Sequence, residues 1–390
     1  MYRRNIETIL LKSAHSFPAT YLTGPRQSGK TTLLKELFPR HRYISLESPS
    51  SLDLVTEDPI GFFADPETSW IIDEAQNFPA LFSYLQGMID SAPKPGRFLL
   101  SGSQNFLLHH KISQSLAGRT AVLELLPLAY SEFKPHIAPS EDDLWRLIFY
   151  GGYPRPHYEQ LDYSLWFESY LRTYVERDIR SLVNVRDLSV FQRFIKMCAA
   201  RQGQILNLSS LGADCGISQP TAREWLSFLE ASYILFRIHP YFENFSKRLI
   251  KSPKLYFYDT GLCCQLLGIQ SPEHVQTHAM RGALFEGYLM SELIKARLNQ
   301  GLRPHVYFWR DHRGLEIDAV VEEGQSVDLL EFKSSQTFQV EFLDALKQVL
   351  ALANSDRFKP MVIYGGRESM RLHAISIQGF RDYLYPKSSS

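Results

Sequence analysis

Gly24-Pro25-Arg26-Gln27-Ser28-Gly29-Lys30-Thr31-Thr32 is the stretch that decides how this chain is read. It follows the apolar run Ala19-Thr20-Tyr21-Leu22-Thr23 and opens a helical pattern from Thr32 to Phe38. Strand, glycine loop, helix, with Gly, four residues and then Gly-Lys-Thr, is the setting in which backbone N–H groups cradle a phosphate. Gly24 and Gly29 let the backbone turn inward with no Cβ in the way. The helix N-terminus adds its partial positive charge. In such a loop Lys30 reaches the β- and γ-phosphates, and the Thr31 hydroxyl holds Mg²⁺. The alternative, a Gly-rich turn with an exposed Lys, leaves the flanking strand and helix unexplained.

Working outward, Tyr43-Ile44-Ser45-Leu46 reads as a short strand, and Ser69-Trp70-Ile71-Ile72-Asp73-Glu74-Ala75 as another that ends in two carboxylates. An Asp-Glu pair closing an apolar strand downstream of a P-loop is the Walker B pattern. It gives Asp73 to Mg²⁺ and makes Glu74 the general base toward an attacking water. The next strand, Arg97–Ser103, ends in Ser103-Gln104-Asn105. Ser103 or Asn105 either touches the γ-phosphate or the water, or caps the helix expected over 105–116. Arg119 follows the helix-stopping Gly118 and precedes the strand Ala121–Leu125. It reads either as an arginine finger entering a neighbouring subunit's site or as a surface ion pair. Strands alternate with helices from about Ala19 to Leu128, which predicts a parallel α/β layer.

These motifs, Gly24–Thr32, Trp70–Glu74, Leu100–Asn105 and Gly118-Arg119, together resemble an AAA-type ATPase core. More closely, the chain resembles a large prokaryotic family of two-part ATPases whose C-terminal half is known only as a domain of unknown function. Gly151-Gly152-Tyr153-Pro154, Tyr174–Asp178, Tyr258-Asp259-Thr260-Gly261-Leu262 and Phe285-Glu286-Gly287 carry that resemblance over nearly the whole chain. It implies ATP and Mg²⁺ as cofactors and a ring-like homo-oligomer, with a hexamer as the expected number.

Residues 131–195 read as a helical lid. Within it Glu176-Arg177-Asp178 is either a nucleotide sensor, through Arg177 or Arg180, or a structural charge cluster. Residues 196–275 read as a winged-helix segment. A short helix spans Leu208–Ala213, a turn spans Asp214–Ser218, and a second helix spans Gln219–Ala231. Two β-type runs, Tyr233–Ile238 and Lys254–Tyr258, follow. In a DNA-reading module the second helix enters the major groove. Gln219, Thr221 and Arg223 would then face bases, and Lys247, Arg248 and Lys251 would meet phosphates. Glu224 and Glu230 make that helix less basic than a dedicated reader, so packing against protein stands as the alternative.

Residues 276–390 read as an α/β domain resembling the restriction-endonuclease-like core. Asp318 lies on one strand, Glu331 and Lys333 share a face of the next, and Glu286 lies on an upstream helix. Asp318, Glu331 and Glu286 would hold a second Mg²⁺, with Lys333 beside the developing charge. A binding module of the same fold without cleavage is the other reading.

The chain has 390 residues and a formal net charge of +0, so a nucleic-acid surface must be a local patch. The four cysteines form no C-x-x-C pair, which argues against zinc and for free thiols in a reducing cytoplasm. The apolar run Ile9-Leu10-Leu11 is cut by Lys12, too soon for a secretory leader, and no run suits a membrane span. The expected fold is α/β: a P-loop AAA-type ATPase over residues 1–130 with a parallel sheet, then lid, winged-helix segment and nuclease-like domain. The expected function is ATP hydrolysis that drives binding to or remodelling of DNA. The alternative is an ATP-controlled switch that docks a protein partner.

Overall fold

The computed structural model describes residues 2–103, 116–138, 143–175, 188–241, 251–353 and 355–386. Asn105 and the helix expected around it, Arg177, Arg180, Lys247 and Arg248 lie outside the described residues.

The first part is a five-stranded sheet. Its strands are β1 (Ala19–Thr23), β2 (Arg42–Ser45), β3 (Trp70–Asp73), β4 (Phe98–Gly102) and β5 (Thr120–Glu124), in the spatial order β2-β3-β4-β1-β5. Every pairing in it is parallel. The central strands β1, β3 and β4 are buried along their whole length, as parallel strands covered on both faces must be. Successive residues feed opposite sides, as strand geometry dictates. Tyr21, Ile72 and Leu100 enter one core with Phe82 and Leu85. Leu22, Ile71 and Leu99 enter another, with Ile6 and Leu10 from the helix side. Because the strands run one way, the ends of β1, β3 and β4 open onto a single edge of the sheet, and that edge carries the site.

The rest of the chain is organised around an eight-stranded sheet. Its strands are β6 (Leu235–Pro240), β7 (Lys254–Phe257), β8 (Val306–Arg310), β9 (Glu316–Glu323), β10 (Ser326–Lys333), β11 (Phe358–Tyr364), β12 (Met370–Leu372) and β13 (Ile375–Gly379). Their order is β12-β13-β11-β10-β9-β8-β6-β7. β8, β9 and β10 pair antiparallel in succession, whereas β10, β11 and β13 run parallel.

The helix Gln219–Ala231 starts where the sequence places it, with Ser218 accepting from the Thr221 N–H and Pro220 in the first turn. Its buried face includes Ala222, Trp225, Leu226 and Leu229, and Trp225 packs edge-on against Phe191 and Phe194. Gln219, Arg223 and Glu224 are exposed on the other side. The hairpin β6–β7 that follows is antiparallel. It does not stand apart: β6 pairs parallel with β8 through His239–Tyr307 and Pro240–Phe308. One apolar core accordingly runs from Leu126 through Trp225 and Phe285 to Phe380. Among the described residues no helix is long and apolar enough to cross a membrane.

Candidate functional site

The P-loop lies at the C-terminal edge of the first sheet. Gly24 has φ +145°, and a Cβ there would sit 2.1 Å from the Leu125 carbonyl oxygen, so only glycine fits. Gly29, also at positive φ, caps the helix Lys30–Leu37. The Lys30 ammonium is buried and donates to the carbonyls of Gly24 (2.9 Å) and Pro25 (2.7 Å). Burial pushes it down to about 8, against the opposing pull of Glu74 and Asp73. Thr31 donates its hydroxyl to Asp73 Oδ2 at 2.9 Å. The two motifs, distant in sequence, thus meet side chain to side chain.

Asp73 is held more firmly than its own motif suggests. Tyr43 donates to Oδ2 at 3.1 Å and Ser101 donates to Oδ1. Glu74, the residue after β3, is in the left-handed region at φ 52°, which places a non-glycine residue under backbone strain at the point where the base is expected. Its carboxylate accepts from Gln76 Nε2 and from Ser103 Oγ (3.2 Å). Ser103 is therefore brought to Glu74. Gln76 and Ser101 were missed in the sequence, although each sits two residues from a recognised position.

Pro25, Arg26, Gln27 and Ser28 form the loop itself. Arg26 lies 3.9 Å from Glu47. Ser28 Oγ is buried with no hydrogen-bond partner. Arg4, which no motif announces, donates to the Ser28 carbonyl (2.8 Å) and the Leu126 carbonyl (2.7 Å) and pairs with Glu132 at 3.2 Å. Beside the loop lies a cleft of about 480 Å³ whose lining includes Arg4, Ser28, Thr32, Tyr2, Arg155 and Tyr158. The donor set fits a magnesium nucleotide: a buried ammonium, a hydroxyl beside a carboxylate, an unpartnered serine and an adjoining cleft.

Arg119 lies at the other edge of the sheet. Its carbonyl accepts from Ala19 N–H at the start of β1, and its guanidinium makes a bidentate pair with Asp90 (2.5 and 2.9 Å). At the start of the helix Gln219–Ala231, Thr221 is bonded to Ser218 (2.8 Å) and Gln219 and Arg223 are exposed, as is Lys251 ahead of β7.

The second constellation is on the larger sheet. Beyond the Leu330–Ala319 pair of β10 and β9, Asp318 Oδ2 accepts from the Phe332 N–H at 2.8 Å. Glu331 accepts from Lys333 at 2.6 Å. Oxygens of Glu286, Glu316 and Asp318 lie within 4.8 Å of one another. Glu316 was not singled out from the sequence, though it precedes Asp318 by two and so shares its strand face. Burial, with Glu331 and Glu286 nearby, holds the Asp318 carboxyl well above the usual carboxylate range. Lys254 of β7 reaches this group: it bonds Glu286 at 2.8 Å and Glu316, while Tyr256 donates to Glu286 at 2.5 Å. Burial lowers the Lys254 ammonium, but Glu286, Asp318 and Glu316 outweigh it and leave it raised.

A family described as an AAA domain matches residues 16–134. Two domains of unknown function, DUF8612 and DUF4143, match residues 141–273 and 281–380. Uncharacterized proteins of Mycobacterium bovis and Mycobacterium tuberculosis are each 32% identical over 325 residues, covering 82% of this chain and 71% of theirs. Among solved structures, a Walker-type ATPase of Pyrococcus abyssi aligns over 68% of this chain and 96% of its own at 14% identity, with a TM-score of 0.46. The RuvB Holliday junction branch migration motor of Thermotoga maritima aligns over 60% and 88% at 19% identity, with a TM-score of 0.29. The mycobacterial proteins span the joined segments of this chain, and the AAA match covers both its P-loop and the strand that ends in Asp73-Glu74; the chain belongs to the family of these mycobacterial proteins, and its first part is an AAA-type ATPase domain.

Proposed function

We propose that the chain hydrolyses ATP and uses the cycle to bind or remodel DNA. The observation that carries the hydrolytic half is the contact of Thr31 with Asp73, with Glu74 held next to it by Gln76 and Ser103. ATP would be held by the loop Gly24–Thr32, with Lys30 on its phosphates. The adjoining cleft between Tyr2, Arg155 and Tyr158 would take the nucleoside. Thr31 and Asp73 would hold Mg²⁺, which when bound neutralises phosphate charge. Lys30 exchanges its two loop carbonyls for the nucleotide. Glu74 accepts the proton of the attacking water, and Ser103 keeps its carboxylate oriented. The DNA half is supported by the exposed Gln219 and Arg223 on the helix Gln219–Ala231 and by the exposed Lys251 just ahead of β7.

A second reading, an ATP-controlled switch that docks a protein, is supported by the wiring of the P-loop into the rest of the chain. Arg4 joins Ser28 to Glu132. Next to it Tyr130 N–H donates to Glu292, and Lys295 donates to the Leu128 carbonyl. Both acceptor and donor side chains belong to the helix Arg281–Leu298.

ATP turnover measured with and without duplex, single-stranded and branched DNA tests the proposal. Glu74→Gln is expected to keep ATP bound and to slow turnover by ~10²-fold or more. Unchanged turnover removes Glu74 from the base role. Turnover that ignores every form of DNA, with no salt-sensitive binding, favours the switch.

A further inference from the structure

Lys254 comes from β7, outside the helix and strands that carry the carboxylates, and its ammonium ends among them. The side chain is 3% exposed, so bulk water does not solvate it. A lysine so buried is stable only when its charge is answered in place. Here the answer comes from Glu286 and Glu316, with Asp318 adjacent: carboxylate oxygens within 4.8 Å of one another, the spacing of an oxygen shell around a hard cation.

A second observation is independent of that contact. Glu331, itself 6% exposed, turns one oxygen to Lys333 and leaves Oε2 buried with no partner. Four carboxylates, Glu286, Glu316, Asp318 and Glu331, are thus gathered against three cationic side chains. The third cation, Arg310, lies on the rim with Glu316 at 2.9 Å. An all-oxygen, carboxylate-rich set with an acceptor to spare suits a divalent ion such as Mg²⁺ or Mn²⁺.

We propose that this cluster is a divalent-cation site whose central position is held by the Lys254 ammonium. Lys254 and a metal ion are alternative occupants, and β7 keeps the site closed. Metal chemistry on the larger sheet then requires β7 to withdraw. In the arrangement described, Lys254 supplies the cation itself and ties the β6–β7 hairpin to the helix Arg281–Leu298 and to β9.

The test uses the full chain, stripped of nucleotide and of metal by a chelator, and titrated with Mn²⁺ while free Mn²⁺ is read by electron paramagnetic resonance. The wild type is expected to show no site that depends on Asp318. Lys254→Met is expected to gain one Mn²⁺ per chain, bound about tenfold or more tighter than anything in the wild type. Adding Asp318→Asn is expected to remove that site. Comparing each variant with its Asp318→Asn partner excludes Mn²⁺ held at Thr31 and Asp73. Thermal melting gives a second reading: Mn²⁺ is expected to raise the melting temperature of Lys254→Met and of the milder Lys254→Gln by more than that of the wild type, and the excess is expected to vanish with Asp318→Asn. An Asp318-dependent Mn²⁺ site in the wild type overturns the proposal, because Lys254 would not be the occupant. So does a Lys254→Met chain that folds and binds no Mn²⁺. Variants that stay unfolded even in millimolar Mn²⁺ overturn it as well, since the ion would then not replace the ammonium.

Discussion

Lys30 is buried against the carbonyls of its own loop, and this has two opposite consequences for pH. Burial brings its ammonium down to about 8, whereas in an unfolded chain a lysine holds its proton to about 10.4. Between those values the unfolded chain binds more protons than the folded one, so folding stability rises with pH across that window. Nucleotide affinity runs the other way, because phosphate calls for the charged form. Affinity for a fluorescent ATP analogue is expected to be flat below about pH 8 and to fall by up to about tenfold per pH unit above it. Lys30→Arg is expected to lack the inflection, and a wild-type profile flat through the alkaline range would contradict the assignment. Ser103 gives a second prediction at this scale. Ser103→Ala takes one hydrogen bond from Glu74 and leaves Gln76 in place. Steady-state kinetics should show kcat reduced by about tenfold with KM little changed; a rise in KM alone would place Ser103 in binding instead. These residues were legible because strand, loop and helix place Lys30, Thr31 and Asp73 by local rules. Arg4 was not: it lies far from the loop in sequence, and only the folded chain brings its guanidinium to the Ser28 carbonyl.

Between residues and the whole, the family motifs that lie beyond the ATPase part turn out to have structural work. Asp259, of Tyr258-Asp259-Thr260-Gly261-Leu262, is buried and accepts from the Gly152 N–H (2.7 Å) and the Leu262 N–H (3.0 Å). It caps the helix Thr260–Leu266 and pins the Gly151-Gly152 turn with the same carboxylate. Asp259→Ala leaves two buried donors unanswered and is expected to cost about 2–4 kcal/mol in denaturant unfolding. A loss below about 0.5 kcal/mol would mean that water satisfies them. Gly287, of Phe285-Glu286-Gly287, leaves room for Gln202: a Cβ there would lie 1.7 Å from Gln202 Nε2. Helix and strand positions were legible from period and caps, as with Ser218-Gln219-Pro220. Strand partnership was not. The run around Ile238 has the alternation of a wing strand, and nothing in it announces that its last residues pair with β8. That pairing depends on residues 306–310, which lie beyond a long helix, and sequence period reports faces rather than neighbours. Glu316 and Lys254 escaped for related reasons, one by sharing a strand face with a better-known neighbour and the other by arriving from a different segment.

At the scale of the molecule, Arg119 raises the question of assembly. It is paired with Asp90 at the sheet edge away from its own P-loop, so any role in hydrolysis is exerted on another copy. We expect a homo-oligomer in which Arg119→Ala folds, binds ATP and fails to hydrolyse it. Mixing that variant with Lys30→Ala is expected to restore part of the activity, since intact Lys30 sites then meet intact Arg119. Full turnover by Arg119→Ala alone, or a monomer by native mass measurement with ATP and Mg²⁺, would rule this out. The strand order has a further consequence, for synthesis. The ATPase sheet has all its strands once residue 124 is made. The hairpin of β6 and β7 is complete by residue 257, yet its neighbour β8 begins only at residue 306, and the last strand to be made, β13 at residues 375–379, slots in between β11 and the edge strand β12. At elongation rates of roughly 5–20 residues per second, β6 waits several seconds on the ribosome with an unpaired edge and an unanswered Lys254. Such a nascent segment is the part of this chain that would lean most on holding chaperones, long after its ATPase part has settled.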